Sequence, residues 1–407
     1  MPRFDAYAPD FLENPYPTYA LLRAAGPFFY DDQWDLLFFT RHADVRAMLR
    51  DRRFGRDARH VVPMAQLDQT ALARERPMAY PNWTHFIRGS FMDMEPPAHT
   101  RIRRLVQAAF SRRSAESYRR RMEETANTLL DRMLEKGSAE AIADYATPIP
   151  LVMISELMGV PAEDQMHLVD WSTAIVRLFD ERCTAEEGAA AEEATIEFVE
   201  YLRHMMASRT DMPREDLVTA LMEAEIEGER LNADEVVATS ILALNASHEA
   251  TVQAIGNGLI ALAHDQGEFQ RLRVEPDLMK TAVDELLRFD TPLQMFERWV
   301  LEDTDWAGTH LRRGTKIGLL LGSANHDDEV FAEPERLNLG RQENPHISFG
   351  GGTHYCVGAP LARVELEVAV SCFARRVTDF ELATDRLERP ESLVFRGVRS
   401  LPVAMSG

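Results

Sequence analysis

The chain has 407 residues, enough for two ordinary domains or one large enclosed fold, which excludes a small stapled module. Hydrophobic residues at 45% and charged residues at 27% describe a globular protein with a sizeable core, not a disordered, collagen-like or low-complexity chain. Lys and Arg number 45 against 66 Asp and Glu, and the net charge of −21 repels phosphate backbones and anionic lipid, so neither nucleic acid nor a membrane is an expected partner.

Met1 to Pro27 lacks the basic start and apolar stretch of an export signal. The three cysteines, Cys183, Cys356 and Cys372, are odd in number and without paired spacing, so a reducing, cytoplasmic setting is expected. Apolar residues three and four apart predict helices over Pro17–Ala25, Ala43–Leu49, Thr100–Phe110, Ser114–Lys136, Ile149–Met158, Ala185–Ser208, Ala233–His264, Pro276–Phe289 and Leu361–Val377. Strand patterning is confined to short runs, Trp34–Thr40, Glu297–Leu301 and Thr315–Leu321. The expected class is mainly α with small β-sheets. With no repeat, linker or composition break, residues 1–407 read as one domain.

Within the longest helix, Asn232 followed by Glu235 has capping-box spacing. The apolar run Val236–Ala263 is long enough to test as a membrane span. It fails, because Asn245, Ser247, His248, Glu249 and Thr251 form a polar band in its middle that suits a helix lining a cavity. Glu249 is an ionisable group in an apolar helix, read either as a proton-handling residue or as a buried acid held for stability. Further on, Pro334–Gly352 is a long segment without periodicity, of the kind that carries function.

That segment leads into Phe349-Gly350-Gly351-Gly352-Thr353-His354-Tyr355-Cys356-Val357-Gly358, followed by a helix. A cysteine near a helix N-terminus is shifted toward thiolate, the form that attacks electrophiles or binds metal. Three glycines permit close approach of a bulky flat partner. A structural cysteine after a flexible turn is the plain alternative. Zinc is the weaker metal reading, since no second Cys or His pair accompanies His354 and Cys356.

The segment resembles the haem-binding signature of the cytochrome P450 family, Phe-Gly-x-Gly-x-His-x-Cys-x-Gly, with each fixed position present. The resemblance implies the cytochrome P450 fold, haem b (iron protoporphyrin IX) as cofactor, and Cys356 as axial thiolate, the metal ligand, with Phe349 and Gly350 in the haem-binding turn. Glu285 and Arg288 resemble the family's Glu-x-x-Arg pair and Arg336 its third partner, a structural network behind the haem. By the same resemblance His99, Arg103, Arg298 and His354 hold the haem propionates. His99 and Arg103 are four apart, on one helical face.

Ala246-Ser247-His248-Glu249-Ala250-Thr251 resembles the family's oxygen-activating stretch with two departures. Ser247 replaces a glycine, and Ala250 stands where a hydroxyl residue supports proton delivery. Thr251 lies about 100° further round the helix. Glu249, Ala250 and Thr251 are therefore the candidate catalytic positions, with water, a substrate hydroxyl, Ser247 or Thr251 replacing the missing alcohol.

The resemblance implies a monooxygenase that hydroxylates a medium-sized, largely apolar organic substrate with O2. Apolar pocket candidates are Met64, Met78, Trp83, Phe86, Phe91, Phe179, Leu293, Met295 and Phe296, and polar ones are Asn82, His85, Gln294 and Asn245. No flavin or iron–sulfur segment is recognisable, so electrons are expected from a separate ferredoxin and NAD(P)H-dependent reductase. The basic run from Arg101 to Arg121 is the expected docking face. Two alternatives stay open on the same haem: a peroxide-driven or oxidative-coupling enzyme, motivated by Ala250, and a haem-bound ligand sensor without turnover.

Overall fold

The computed structural model describes residues 4–75, 77–180 and 182–407. Most expected helices form within two or three residues of their expected ends. The stretch Ser114–Lys136 divides into Arg112–Ser117 and Arg119–Lys136, because the Tyr118 N–H bonds back to Ala115 in a tight turn. Helix Gln165–Arg177 has no counterpart in the sequence reading. Its buried stripe, Leu168, Ser172 and Ile175, places a serine where periodicity needs an apolar residue.

The central helix, Ala233–His264, runs roughly 48 Å at 1.5 Å per residue. Both halves of its capping box form: Asn232 Oδ1 accepts from the Glu235 N–H, and the Glu235 carboxylate accepts from the Asn232 N–H. It packs against Pro148–Met158, Gln165–Arg177, Met279–Phe289 and the cysteine helix Ala359–Arg376. Leu244, Val252, Ile255 and Leu259 are buried among these neighbours, which leaves another face of the helix for a cavity. Among the described residues no helix is long and apolar enough to cross a membrane.

A five-stranded sheet lies beside the helices in the order Phe28–Asp31, Leu36–Phe39, Lys316–Leu320, Met295–Val300, Phe54–Gly55. Lys316–Leu320 pairs parallel to Leu36–Phe39 and antiparallel to Met295–Val300, with Ile317 opposite Arg298. Phe296 and Arg298, two apart, share one face of that strand.

The loop leading to Cys356 is braced from the Glu285 helix. Glu285 and Arg288 are fully buried, and Arg288 Nε and Nη2 donate to the two carboxylate oxygens at 2.8 and 2.9 Å. Arg288 Nη1 also donates to the Asn325 and Pro334 carbonyls. The expected third partner is wrong by five residues. Arg336 is exposed and pairs with Glu333, whereas Arg341 Nε donates to Glu285 Oε2 at 3.0 Å. The Asn338 N–H and Asn344 Nδ2 complete the ring of donors around Glu285. A buried carboxylate with this many donors is compensated, and removing one donor leaves charge exposed to a low-dielectric interior.

Candidate functional site

A cavity of about 570 Å³ opens between the central helix and the cysteine turn. Ala246, Ala250 and Thr251 wall one side, and Phe349, Cys356 and Gly358 the other. Gly350 and Gly352 have positive φ, +72° and +64°. A Cβ on Gly350 would sit 3.0 Å from the Phe296 ring, and one on Gly352 would collide with the Leu49 carbonyl at 2.3 Å. The glycines thus serve the turn and its packing on Leu49 and Phe296.

The Cys356 N–H donates to the Phe349 carbonyl at 3.0 Å, which fixes the turn just before the helix whose cap is Gly358. Burial pushes the Cys356 thiol above its ordinary pKa. Against this act the N–H groups of Gly358 and Ala359 and the cations Arg103 and Arg363. The helix-terminus effect is therefore present but outweighed by desolvation, and a thiolate here calls for a bound cation of its own.

Basic groups converge at another edge of the cavity. His99 is buried, and neither ring nitrogen has a hydrogen-bond partner. Burial, with His354 and Arg103 adding to it, brings its pKa down to about 4. The His354 ring lies 4.5 Å from His99 and turns Nε2 to Glu95 at 3.3 Å rather than to a metal site. Arg298 donates Nη1 to the Glu297 carbonyl, and burial, then Arg56, lowers its pKa to about 9. Arg103 donates to the Tyr355 carbonyl at 2.6 Å, and burial lowers its pKa too. Depressed values on neighbouring bases mean that their desolvation lacks a matching anion. The residues fit a flat macrocycle that brings carboxylates to His99, Arg103, Arg298 and His354 and a metal to Cys356.

On the opposite wall, burial raises the pKa of Glu249, whose carboxylate accepts from Gln253 Nε2 at 3.4 Å. The sequence reading missed a second acid. Glu365, seven residues after Gly358 on the cysteine helix, is buried and lines the same cavity. Its Oε2 accepts from Thr251 Oγ1 at 3.5 Å, its Oε1 has no partner, and burial holds its pKa well above the ordinary range. An acid flanked by Val364 and Leu366 in a buried helix is the signal that was available. Ala250 presents only a methyl group.

Several pocket candidates lie elsewhere. Met64 and Met78 are exposed, and Trp83 is core, donating Nε1 to the Ile175 carbonyl. Phe86 is core as well. Phe91, Phe179, Leu293, Met295 and Phe296 do line the cavity. Asn82 is taken by Glu192, and His85 pairs with Asp234 at the surface. Gln294 lies outside this cavity and donates to the Thr291 carbonyl.

The family model for cytochrome P450 matches residues 66–399. The chain belongs to the cytochrome P450 family. "Polyketide biosynthesis cytochrome P450 PksS" of Bacillus subtilis (strain 168) is 33% identical, covering 99% of this chain and 98% of its own. The solved structure of P450BioI with hexadec-9Z-enoic acid ligated acyl carrier protein superposes with a TM-score of 0.89 at 31% identity, over 98% and 99% of the two chains. Epothilone D-bound cytochrome P450epoK gives 0.90 at 29% identity over 100% of both. This cytochrome P450 is a monooxygenase whose cofactor is haem b. The basic groups and the thiol described above meet that cofactor's requirements.

The expected docking face is less basic than the sequence implied. Arg101 pairs with Glu235, Arg104 with Glu227, Arg119 with Glu116 and Glu367, and Arg121 with Glu156. Distant acids return to neutralise much of the run; Arg112 and Arg113 are exposed, and Arg112 lies 3.5 Å from Glu116.

Proposed function

We propose that this cytochrome P450, a single domain over 1–407, oxidises a medium-sized, largely apolar organic molecule, with electrons from a ferredoxin and an NAD(P)H-dependent reductase. The carrying observation is the apolar cavity closed on one side by Cys356 and on the other by a polar notch at Thr251, Glu365 and Glu249. Two structural relatives were solved in complex with hexadec-9Z-enoic acid ligated acyl carrier protein and bound to epothilone D, both largely apolar ligands.

Haem, when bound, supplies reductive activation of O2 and transfer of one oxygen atom to substrate. The chain's own residues do the rest. Cys356 Sγ would hold the haem iron, with Phe349 and Gly350 shaping the turn around it. His99, Arg103, Arg298 and His354 would hold its propionates, anions that would offset the desolvation of these bases. Phe296, Phe91 and Phe179 exclude water and hold substrate against the Ala250 methyl group.

Protons enter through side chains that Ala250 cannot supply. Glu365, whose pKa burial raises well above the ordinary range, is placed to hold a proton at the cavity wall, where Thr251 Oγ1 hydrogen-bonds to it. Glu249, whose pKa burial also raises, lines the same cavity two residues before Thr251. Glu365 and Thr251 together replace the hydroxyl missing at position 250. The test is product formed with ferredoxin, reductase and NAD(P)H against product formed with hydrogen peroxide alone. The reductase-driven reaction is expected to dominate, and equal or greater yield with peroxide would favour the peroxide-driven reading.

A further inference from the structure

The central helix turns an arc of mostly methyl groups toward the cavity. At about 100° per residue, Ala243, Ala250, Thr251 and Ala254, which all line the cavity, fall within about 60° of Ser247. Ser247 is the centre of that arc, and it also lines the cavity. Asn245, about 160° away by the same step, lies on the far side, and its Oδ1 is sealed in the packing.

A serine inside a helix ordinarily bonds back to the carbonyl four residues earlier. Ser155 does so to Leu151 at 2.7 Å, and Ser240, on the central helix itself, to Val236 at 2.9 Å. Ser247 does not: among the described residues its Oγ has no hydrogen-bond partner, and the oxygen is not one of the sealed polar atoms of the interior. The residue is half-buried, whereas Thr251 is 4% exposed. Ser247 and Thr251 are one turn apart, a spacing that sets their Cβ atoms about 5–6 Å from each other, within reach of a single shared water. Thr251 Oγ1 in turn bonds to Glu365 Oε2 at 3.5 Å. Three groups thus run in order from a buried acid, through a buried hydroxyl, to an open one. Thr239, a further hydroxyl of the wall, lies twelve residues before Thr251, roughly 18 Å along the helix, and joins no such line.

We propose that Ser247 Oγ is the cavity-side end of the proton line that begins at Glu365. This rests on the reading that Glu365 and Thr251 deliver protons, and it adds the group that hands them over. Each hydroxyl takes one proton and gives one, so Thr251 and Ser247 end neutral. Glu365 is left as a carboxylate and regains its proton from water, and the proton released at Ser247 Oγ is consumed in the reduction of O2.

The test uses the haem-loaded protein as wild type, Ser247→Ala, Ser247→Thr, Thr251→Val and the combination of Ser247→Ala with Thr251→Val. Ser247→Ala removes one oxygen and favours the helix, so folding is not at risk. Two quantities are read: hydrogen peroxide released per NAD(P)H oxidised, with ferredoxin, reductase and hexadec-9Z-enoic acid as the probe, and the infrared C–O stretch of the reduced carbon monoxide complex, which senses a hydroxyl facing the bound gas. Ser247→Ala is expected to raise the peroxide fraction severalfold and to shift the C–O stretch, and Ser247→Thr, which keeps a hydroxyl, to restore both. The combined variant should be no worse than Thr251→Val alone, because the groups act in one line. A wild-type peroxide fraction in Ser247→Ala overturns the proposal, as do equal losses in Ser247→Ala and Ser247→Thr or additive losses in the combined variant. The C–O stretch needs no substrate, so an unmoved band in Ser247→Ala overturns it whatever the probe does. If Thr251→Val raises peroxide release and Ser247→Ala does not, the path through Glu365 and Thr251 stands and only Ser247 falls; if neither does, both readings fall.

Discussion

The thiolate side and the substrate side of the cavity differ in how completely the protein satisfies its own polar groups. Behind Cys356, Glu285 takes donors from Arg288, Arg341, Asn338 and Asn344. Across the cavity, Asn245 Oδ1 and Glu365 Oε1 have no partner, and Thr251 reaches Glu365 at 3.5 Å. The network that braces the cysteine loop is saturated, and the cavity wall keeps valences open. Saturation predicts sensitivity of stability to mutation, and open valence predicts sensitivity of chemistry.

The largest effect is expected on the saturated side. Arg341→Leu strips a donor from a buried carboxylate and should cost about 3–5 kcal/mol, read as a lowered Tm and a reduced haem-to-protein ratio. Arg336→Gln, five residues earlier and exposed, should move stability by less than about 0.5 kcal/mol. Equal losses from the two would erase the distinction between the buried network and the surface pair.

Glu365 sharpens the comparison from the other side, because its open valence has a stability cost. Its folded-state pKa is raised by burial, so its contribution to stability is fully present below the ordinary glutamate value of 4.5 and is lost as pH rises through the raised value. Glu365→Gln should therefore gain in Tm over wild type as pH rises above the ordinary glutamate range. A Tm difference that is flat with pH would mean that Glu365 is not the buried acid described.

Smaller effects are expected at the docking face, where most of the basic run is neutralised. Charge reversal at Arg112 and Arg113 should slow reduction by an acidic ferredoxin by about tenfold at low salt, with the difference vanishing at high salt. Ala250→Thr should change coupling only slightly if the proposed path through Thr251 and Glu365 carries the protons.

Much of this division was legible in the sequence. The cysteine turn was readable because its residues are contiguous and each is demanded by local geometry: positive φ at Gly350 and Gly352, and a thiol before a helix start. The central helix was readable from its periodicity and its cap. Arg341 was missed because it acts from an irregular loop, where spacing carries no register and the chain turns between 336 and 341. Glu365 was missed because its partner, Thr251, is 114 residues away, and only packing of the two helices brings them together. The same long-range packing returned Glu227, Glu235 and Glu367 to the basic run. It also turned Met64 and Met78 out to solvent while Phe91 and Phe179 faced the cavity.

The most direct test of the claim that open valences on the substrate side carry the chemistry is the partition of electrons. Hydrogen peroxide released per NAD(P)H oxidised is measured in wild type, Glu365→Gln and Thr251→Val, with ferredoxin, reductase and a ligand that shifts the haem spin state. The account predicts that both variants keep the reduced carbon monoxide spectrum of wild type while the peroxide fraction rises severalfold and product formation falls by about tenfold or more. Unchanged peroxide release and product yield in both variants would contradict it.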